Sequence, residues 1–196
     1  MEAIKNQKME TKDLITVAIF TLLFTVCMFV FAGVMGMLPS IMLYFAALAS
    51  IPCGLIYMYL RIKVPKKGAI LIQSIVMALI YFSMGMMWTG SVGIVIGGLV
   101  AEKVAGKSQY QSLKGQSLGY VLFIFCFWVG MIIPIYVAKD YYIQATLKSG
   151  MDQNYIDTML QSIAGIKLVL AAVLTFLGAS LGALLGRKAL KKHTLS

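Results

Sequence analysis

Long uncharged stretches separated by short basic segments dominate the chain. The first stretch runs from Leu14 to Leu60 and the second from Gly68 to Ala101, and neither contains Asp, Glu, Lys or Arg. A transmembrane helix needs about 20 apolar residues, because the hydrocarbon core is about 30 Å thick and each helical residue rises about 1.5 Å. The first stretch is therefore long enough for two helices, whereas the second is long for one and short for two.

Turn-forming residues divide these stretches. Gly33, Gly36 and Pro39 interrupt the first, and the segment Trp88–Ser91 interrupts the second. The pattern predicts six transmembrane helices, over residues 13–36, 39–60, 68–88, 90–105, 115–138 and 165–187. The first helix has a rival interpretation as a signal peptide with Lys8 and Lys12 at its start, but it is too long and lacks a cleavage motif.

Composition excludes a soluble globular protein. Of the 196 residues, 60% are hydrophobic and 12% are charged, against about 45–50% and about 25% in soluble domains. A chain of this length cannot bury so much apolar surface by itself. The net charge of +10 suggests nucleic acid, but the basic residues cluster between the apolar stretches, which is typical of membrane topology.

The distribution of these charges favours six spans over five. With the N-terminus inside, the cytoplasmic side holds Lys5, Lys8, Lys12, the 61–67 cluster, Lys103, Lys107, Lys114 and the 187–192 cluster. Only Lys139, Lys148 and Lys167 then remain outside, and fusing the third and fourth helices weakens this bias. We predict an all-α integral membrane protein whose residues 1–196 form one bundle of six transmembrane helices, with both termini cytoplasmic.

The connection over residues 139–164 is the long polar segment of the chain. Apolar residues recur in it at helical spacing, at Ile156, Met159, Leu160 and Ile163. Asp152 precedes them as a candidate cap, and Gly150 separates this helix from the preceding residues. The helix lies either across the mouth of the bundle or in the lipid headgroups.

Residues for catalysis or metal binding are scarce. Cys27, Cys53 and Cys126 lie in apolar runs without metal-ligand spacing, and His193 lies in a basic tail. No serine, aspartate or histidine arrangement of an intramembrane enzyme is present, nor is a phosphate-binding loop. We therefore expect no enzyme activity, cofactor or metal site in this chain.

Small residues spaced four apart indicate close helix packing. They occur as Gly178, Gly182 and Gly186, as Ala171, Thr175, Ala179 and Ala183, and as Gly93, Gly97 and Ala101. A weaker stripe on the first helix consists of Ala18, Thr21 and Thr25. These stripes serve either packing within the bundle or docking to another subunit.

The side of the membrane opposite the basic clusters gathers the candidate residues for a solute site. Met84, Met87 and Trp88 share a helix face and offer apolar and stacking surface. The candidate orienting groups are Tyr141, Tyr142, Asn154 and Lys167. These residues predict a pocket for a largely apolar solute with a few polar edges. The alternative is an aromatic belt with headgroup contacts.

The chain length, the six helices, the outer connection and the segment Thr11–Phe20 (TKDLITVAIF) together resemble a known family. The chain is similar to the S components of energy-coupling-factor (ECF) transporters, and among them to the Trep_Strep family. The resemblance implies a multi-pass protein of the bacterial plasma membrane that binds a vitamin or related micronutrient. It also implies as partners a transmembrane scaffold subunit and two cytoplasmic ATPases, which supply ATP hydrolysis.

Many S components dock through Ala-x-x-x-Ala on the first helix, whereas here Leu22 follows Ala18 at that spacing. The resemblance therefore implies docking through Ala18, Thr21 and Thr25 instead. The rival function is a membrane scaffold or channel-like protein that transports no solute. Sparse intramembrane charge disfavours an ion pathway.

Overall fold

The computed structural model describes residues 8–193, with side chains through Leu190. Every regular element in that range is helical. The helices are α1 (Thr11–Gly36), α2 (Phe45–Lys63, after a 3-10 turn at Met42–Tyr44), α3 (Ala69–Ser83), α4 (Trp88–Gly106), α5 (Leu113–Val137), α6 (Lys139–Lys148), α7 (Gln153–Ser162) and α8 (Ile166–His193). Lys5, both chain ends and the side chains of Lys191, Lys192 and His193 lie outside the described part of the protein.

The predicted class of helical membrane protein is confirmed in its general form. Within residues 8–193, five helical stretches are long and apolar enough to cross a membrane, namely Thr11–Gly36, Met42–Lys63, Trp88–Gly106, Leu113–Val137 and Ile166–Leu190. The helix α3 is apolar but has 15 residues, which is about 22 Å at about 1.5 Å per residue. A sixth span and the orientation of the termini therefore stay predictions.

The break between α3 and α4 lies earlier than the sequence pattern indicated. We expected the third helix to continue to residue 88, but it ends at Ser83, and Trp88 instead begins α4. Gly85 has a φ of 89°, a left-handed conformation that glycine adopts without steric cost. The Ser91 hydroxyl donates to the Ala78 carbonyl at 3.2 Å, so the two helices pair immediately after this turn.

Small residues let the helices of the bundle approach closely. A Cβ atom added at Gly93 would lie 2.9 Å from the Cα atom of Gly130, so α4 and α5 meet backbone to backbone. A Cβ atom added at Gly182 would lie 2.8 Å from the Ile51 carbonyl oxygen, on the contact between α8 and α2. These glycines therefore serve packing within the bundle, which was one of the two functions predicted for the small-residue stripes; the other was docking to another subunit.

Polar contacts identify one end of the bundle, which we call the basic end. The Lys66 ammonium lies 2.7 Å from the Asp13 carboxylate, which joins the α2–α3 connection to the start of α1. The Gly68 amide donates to the Glu102 carboxylate at 2.7 Å, which adds the last turns of α4. The hydrogen bond to Asp13 raises the pKa of Lys66, so the Lys66 ammonium stays protonated in this ion pair at neutral pH.

The opposite end, which we call the distal end, carries α6 and α7. Asp152 accepts a hydrogen bond from the Tyr155 amide at 2.7 Å, so the predicted cap of α7 is present. Ile156, Met159 and Ile163 are 0%, 3% and 5% exposed. The apolar face of α7 therefore packs onto the bundle and does not rest in headgroups. The helix α6 was not predicted within this polar connection.

Candidate functional site

A cavity of about 370 Å³ lies at the distal end of the bundle. Its walls come from the end of α1, the 3-10 turn, the α3–α4 connection, the second half of α5, and the helices α6 and α7. The volume lies within the range of about 300–1,000 Å³ that is typical of small-molecule pockets. The cavity is therefore the candidate solute site of the described chain.

Methionine and aromatic residues make up half of the residues that line the wall. The methionines that line the cavity are Met42, Met84, Met86, Met87, Met131, Met151 and Met159. Phe29 stacks on Tyr81 with ring centroids 4.6 Å apart, and Trp128 also lines the cavity. Because methionine is flexible and polarisable, such a wall adapts to the shape of an apolar solute.

Two hydroxyl groups of the wall have no hydrogen-bond partner among the described residues. They are the hydroxyls of Tyr81, which is 3% exposed, and of Thr89. A buried hydroxyl without a partner is unfavourable by about 1–3 kcal/mol. Both oxygens are covered by protein atoms, so a solute recovers that free energy where the flexible methionine wall shifts and admits a hydrogen-bonding group.

The other tyrosines of the wall already have partners. The Tyr155 hydroxyl donates to the Gly36 carbonyl at 2.6 Å and thereby ties α7 to the end of α1. The Tyr142 hydroxyl lies 3.3 Å from the Met159 sulfur. Burial raises the pKa of both Tyr142 and Tyr155, so both phenols are neutral at pH 7.

Within the part of the chain that the structure describes, the residues that line the cavity include no Asp, Glu, Lys, Arg or His. An ionised group that enters such a site loses its hydration without gaining a countercharge, which is strongly unfavourable. The geometry therefore suits a neutral solute, or one whose charged part stays outside the cavity.

The structure divides the predicted solute residues into two groups. Met84, Met87 and Tyr142 line the cavity. The other four are exposed and lie outside its wall, namely Trp88, Tyr141, Asn154 and Lys167. Trp88 is 60% exposed at the first residue of α4.

Sequence reasoning missed Tyr81, Trp128 and Tyr155 as wall residues. All three lie on helices next to the distal connections. Position alone places them near this end. Their orientation toward a common cavity depends on how the helices pack.

The predicted docking stripe on α1 is likewise divided. Thr21 and Thr25 are 0% and 2% exposed, and their hydroxyls donate to the carbonyls of Val17 and Thr21 on the same helix. Ala18 is exposed, and the neighbouring Leu22 is 59% exposed. In this conformation only Ala18 of the stripe is accessible to a partner.

Comparison with known proteins gives one assignment. Neither the curated proteins nor the solved structures contain a significant match. A family described as hypothetical bacterial integral membrane protein (Trep_Strep) matches residues 11–194, and this range includes every helix described above. The chain therefore belongs to the Trep_Strep family of bacterial integral membrane proteins.

Proposed function

We propose that this protein is the substrate-binding S component of an ECF-type importer. It binds a vitamin-like micronutrient outside the cell and delivers it inward together with a scaffold subunit and two ATPases, which hydrolyse ATP. The single observation that supports this most is the distal cavity, which combines an adaptable apolar wall with two unpaired hydroxyls.

The proposal includes six spans and an outward-facing cavity. Basic residues concentrate at the basic end, and the positive-inside rule then assigns this end to the cytoplasm. The described basic residues there include Lys12, Arg61, Lys63, Lys66, Lys67, Lys103, Lys107 and Lys114. The helix α3 runs antiparallel to α4. At one end Gly68 hydrogen-bonds to Glu102, and further along Ala78 hydrogen-bonds to Ser91, which supports α3 as a short antiparallel span. A short span is accommodated by local thinning of the bilayer.

A fluorescence titration tests solute binding. The chain has two tryptophans, so Trp88→Phe leaves Trp128 in the cavity wall as the sole tryptophan reporter. We expect a neutral vitamin from a micronutrient panel to change Trp128 fluorescence saturably. Tyr81→Phe should then weaken binding roughly tenfold, which corresponds to about 1.4 kcal/mol.

Tyr81→Phe is a clean variant because its hydroxyl has no partner within the described protein, so its removal leaves the fold intact. Tyr59→Phe, in α2 and outside the cavity wall, serves as the matched control. If no solute of the panel gives a saturable change, or if Tyr81→Phe and Tyr59→Phe bind alike, the cavity is not the solute site. The scaffold or channel-like alternative then gains support.

Docking to the scaffold subunit is expected on the outward face of α1 around Ala18. Ala18→Trp should reduce copurification with the scaffold subunit and ATPases, because an indole separates closely packed helices. Solute binding by the isolated protein should persist. Thr21→Trp does not test docking, since Thr21 is fully buried and a larger side chain there disturbs the bundle itself. Undiminished copurification of Ala18→Trp would exclude this face.

A further inference from the structure

Arg61 is a buried cation whose outer nitrogens lack partners. It lies in the last turn of α2 and is 1% exposed. Its Nε atom donates to the Gln116 side-chain oxygen at 3.0 Å, whereas Nη1 and Nη2 have no hydrogen-bond partner in the described part of the chain. A buried charge is unfavourable unless another group pairs with it.

Carboxylates near the basic end are engaged elsewhere. Within the described residues, the ion pairs join Glu10 and Asp13 to Lys12 and Lys66. Glu102 is near enough to Arg61 for their charges to attract each other. The carboxylate oxygens of Glu102, however, accept hydrogen bonds from the backbone amides at the start of α3. The guanidinium group is therefore not paired at contact distance with any carboxylate of residues 8–190.

A second cavity, of about 240 Å³, adjoins this side chain at the basic end. Its lining includes Arg61, Ile62, Pro65, Tyr110, Leu113 and Gln116, and among the described residues it has no acidic member. Leu113 is the first residue of α5, whose Gly115 amide already donates to the Ser112 hydroxyl at 3.2 Å. The remaining amides of this first turn and the helix dipole attract anions. The unpaired guanidinium and the start of α5 thus favour the same kind of ligand.

Tyr110 covers the guanidinium group. The Arg61 Cζ atom lies 5.3 Å from the centroid of the Tyr110 ring. Gln109 and Tyr110 have φ values of 51° and 64°, a left-handed conformation that is strained for residues other than glycine. Burial and the Glu102 charge raise the pKa of Tyr110 to about 12, so it is neutral at pH 7 and does not neutralise Arg61. Because both Nη atoms are buried, an anion in the cavity reaches them only where the Tyr110 ring shifts aside.

We propose that this second cavity is an anion site, in which Arg61 and the start of α5 bind a phosphate group. The two free Nη atoms form a fork that matches two phosphate oxygens. The phosphate belongs either to a phospholipid headgroup or to a free phosphate ion. The site is separate from the distal cavity and does not depend on the proposed transport function.

Purified full-length protein allows both sources to be tested. In the first arm, thermal unfolding in detergent is followed as inorganic phosphate is added, against chloride at matched ionic strength. In the second arm, protein from phosphatidylglycerol or phosphatidylcholine nanodiscs is released for native mass spectrometry, which counts retained lipids. We expect phosphate to raise the unfolding temperature, phosphatidylglycerol to be retained, or both.

Two variants assign the effect to the cavity. Arg61→Met removes the buried charge, and Leu113→Trp fills the cavity while Arg61 stays in place. Arg61→Met should weaken phosphate or lipid binding at least tenfold, because it removes a charge-assisted contact of about 1.4 kcal/mol or more. Leu113→Trp should weaken binding by a similar factor, because the indole occupies the space of the anion. Lys103→Met removes one exposed charge outside the cavity lining at the same end and should respond as the parent protein does.

The outcomes separate the sources and decide the proposal. A response to inorganic phosphate alone identifies a free ion, and retention of phosphatidylglycerol alone identifies a lipid headgroup. If Arg61→Met does not fold, Leu113→Trp still decides whether the cavity is required. Absence of both responses in the parent protein overturns the proposal, and so does an unchanged response in Leu113→Trp.

Discussion

Hydrogen-bond pairing distinguishes the tyrosines around the distal cavity. The Tyr155 hydroxyl bridges α7 to α1, whereas the Tyr81 hydroxyl is buried without a partner among the described residues. The first is therefore a structural contact, whereas the second makes no hydrogen bond that its removal would break. Replacement of tyrosine by phenylalanine should therefore have different effects at the two positions, on the packing of α7 at Tyr155 and on solute binding at Tyr81.

Tyr155→Phe removes the bond between α7 and the end of α1. We expect α7 to open more often, because a buried hydrogen bond stabilises by about 1 kcal/mol. Hydrogen exchange measured by mass spectrometry should become faster over residues 153–162. Tyr141→Phe is the control, because Tyr141 is 60% exposed and should exchange as the parent does. Equal exchange in both variants would contradict a latch at Tyr155.

At the scale of helices, glycines set the distances between neighbours. Gly182 lies against the backbone of Ile51 on α2, whereas a Cβ atom added at Gly33 on α1 meets nothing within 4 Å. The two glycines are both helical, so they differ mainly in what surrounds them. Replacing each of these two glycines by alanine therefore distinguishes the effect of packing from the effect of helix propensity.

Gly182→Ala should destabilise the protein by about 1–3 kcal/mol, because the added methyl group overpacks the contact between α2 and α8. Gly33→Ala should leave stability unchanged or raise it by up to about 1 kcal/mol through helix propensity. Thermal unfolding in detergent measures both. A Gly182→Ala protein as stable as Gly33→Ala would show that α2 and α8 do not pack through this glycine.

At the scale of the whole molecule, the two ends differ in charge. The basic end holds most of the described lysines and arginines, whereas the distal end holds Lys139, Lys148 and Lys167. From this asymmetry the positive-inside rule predicts the orientation of the bundle in the membrane. We expect the distal cavity to face outward and the Arg61 cavity to face the cytoplasm, as proposed above.

Cysteine labelling tests this orientation. The native cysteines, Cys27, Cys53 and Cys126, are first replaced by alanine. Single cysteines are then placed at Lys107 and Gln153, both exposed in the structure. On intact cells, an impermeant thiol reagent should modify the cysteine at 153 and not the one at 107, while both react after lysis. The reverse labelling pattern would show that the protein has the opposite orientation in the membrane.

Sequence by itself determined the membrane class, the approximate helices and the amphipathic helix before α8, because these depend on runs and periods of apolar residues along the chain. It also located the distal end as the place where candidate solute residues gather, and Met84, Met87 and Tyr142 line the cavity there. The hydrophobic pattern did not reveal the early end of α3 at Ser83. Residues on both sides of Gly85 are apolar, and only the structure shows the left-handed φ of 89° there.

Only the tertiary structure decided which side chains meet. Trp88 and Lys167 lie outside the cavity wall, Thr21 is buried, and Arg61 is enclosed with two unpaired nitrogens. In a helix that is apolar on all faces, hydrophobic periodicity does not separate the lipid-facing side from the bundle-facing side. Close approach at small residues fixes the rotation of each helix, and that rotation alone selects the residues that face a cavity.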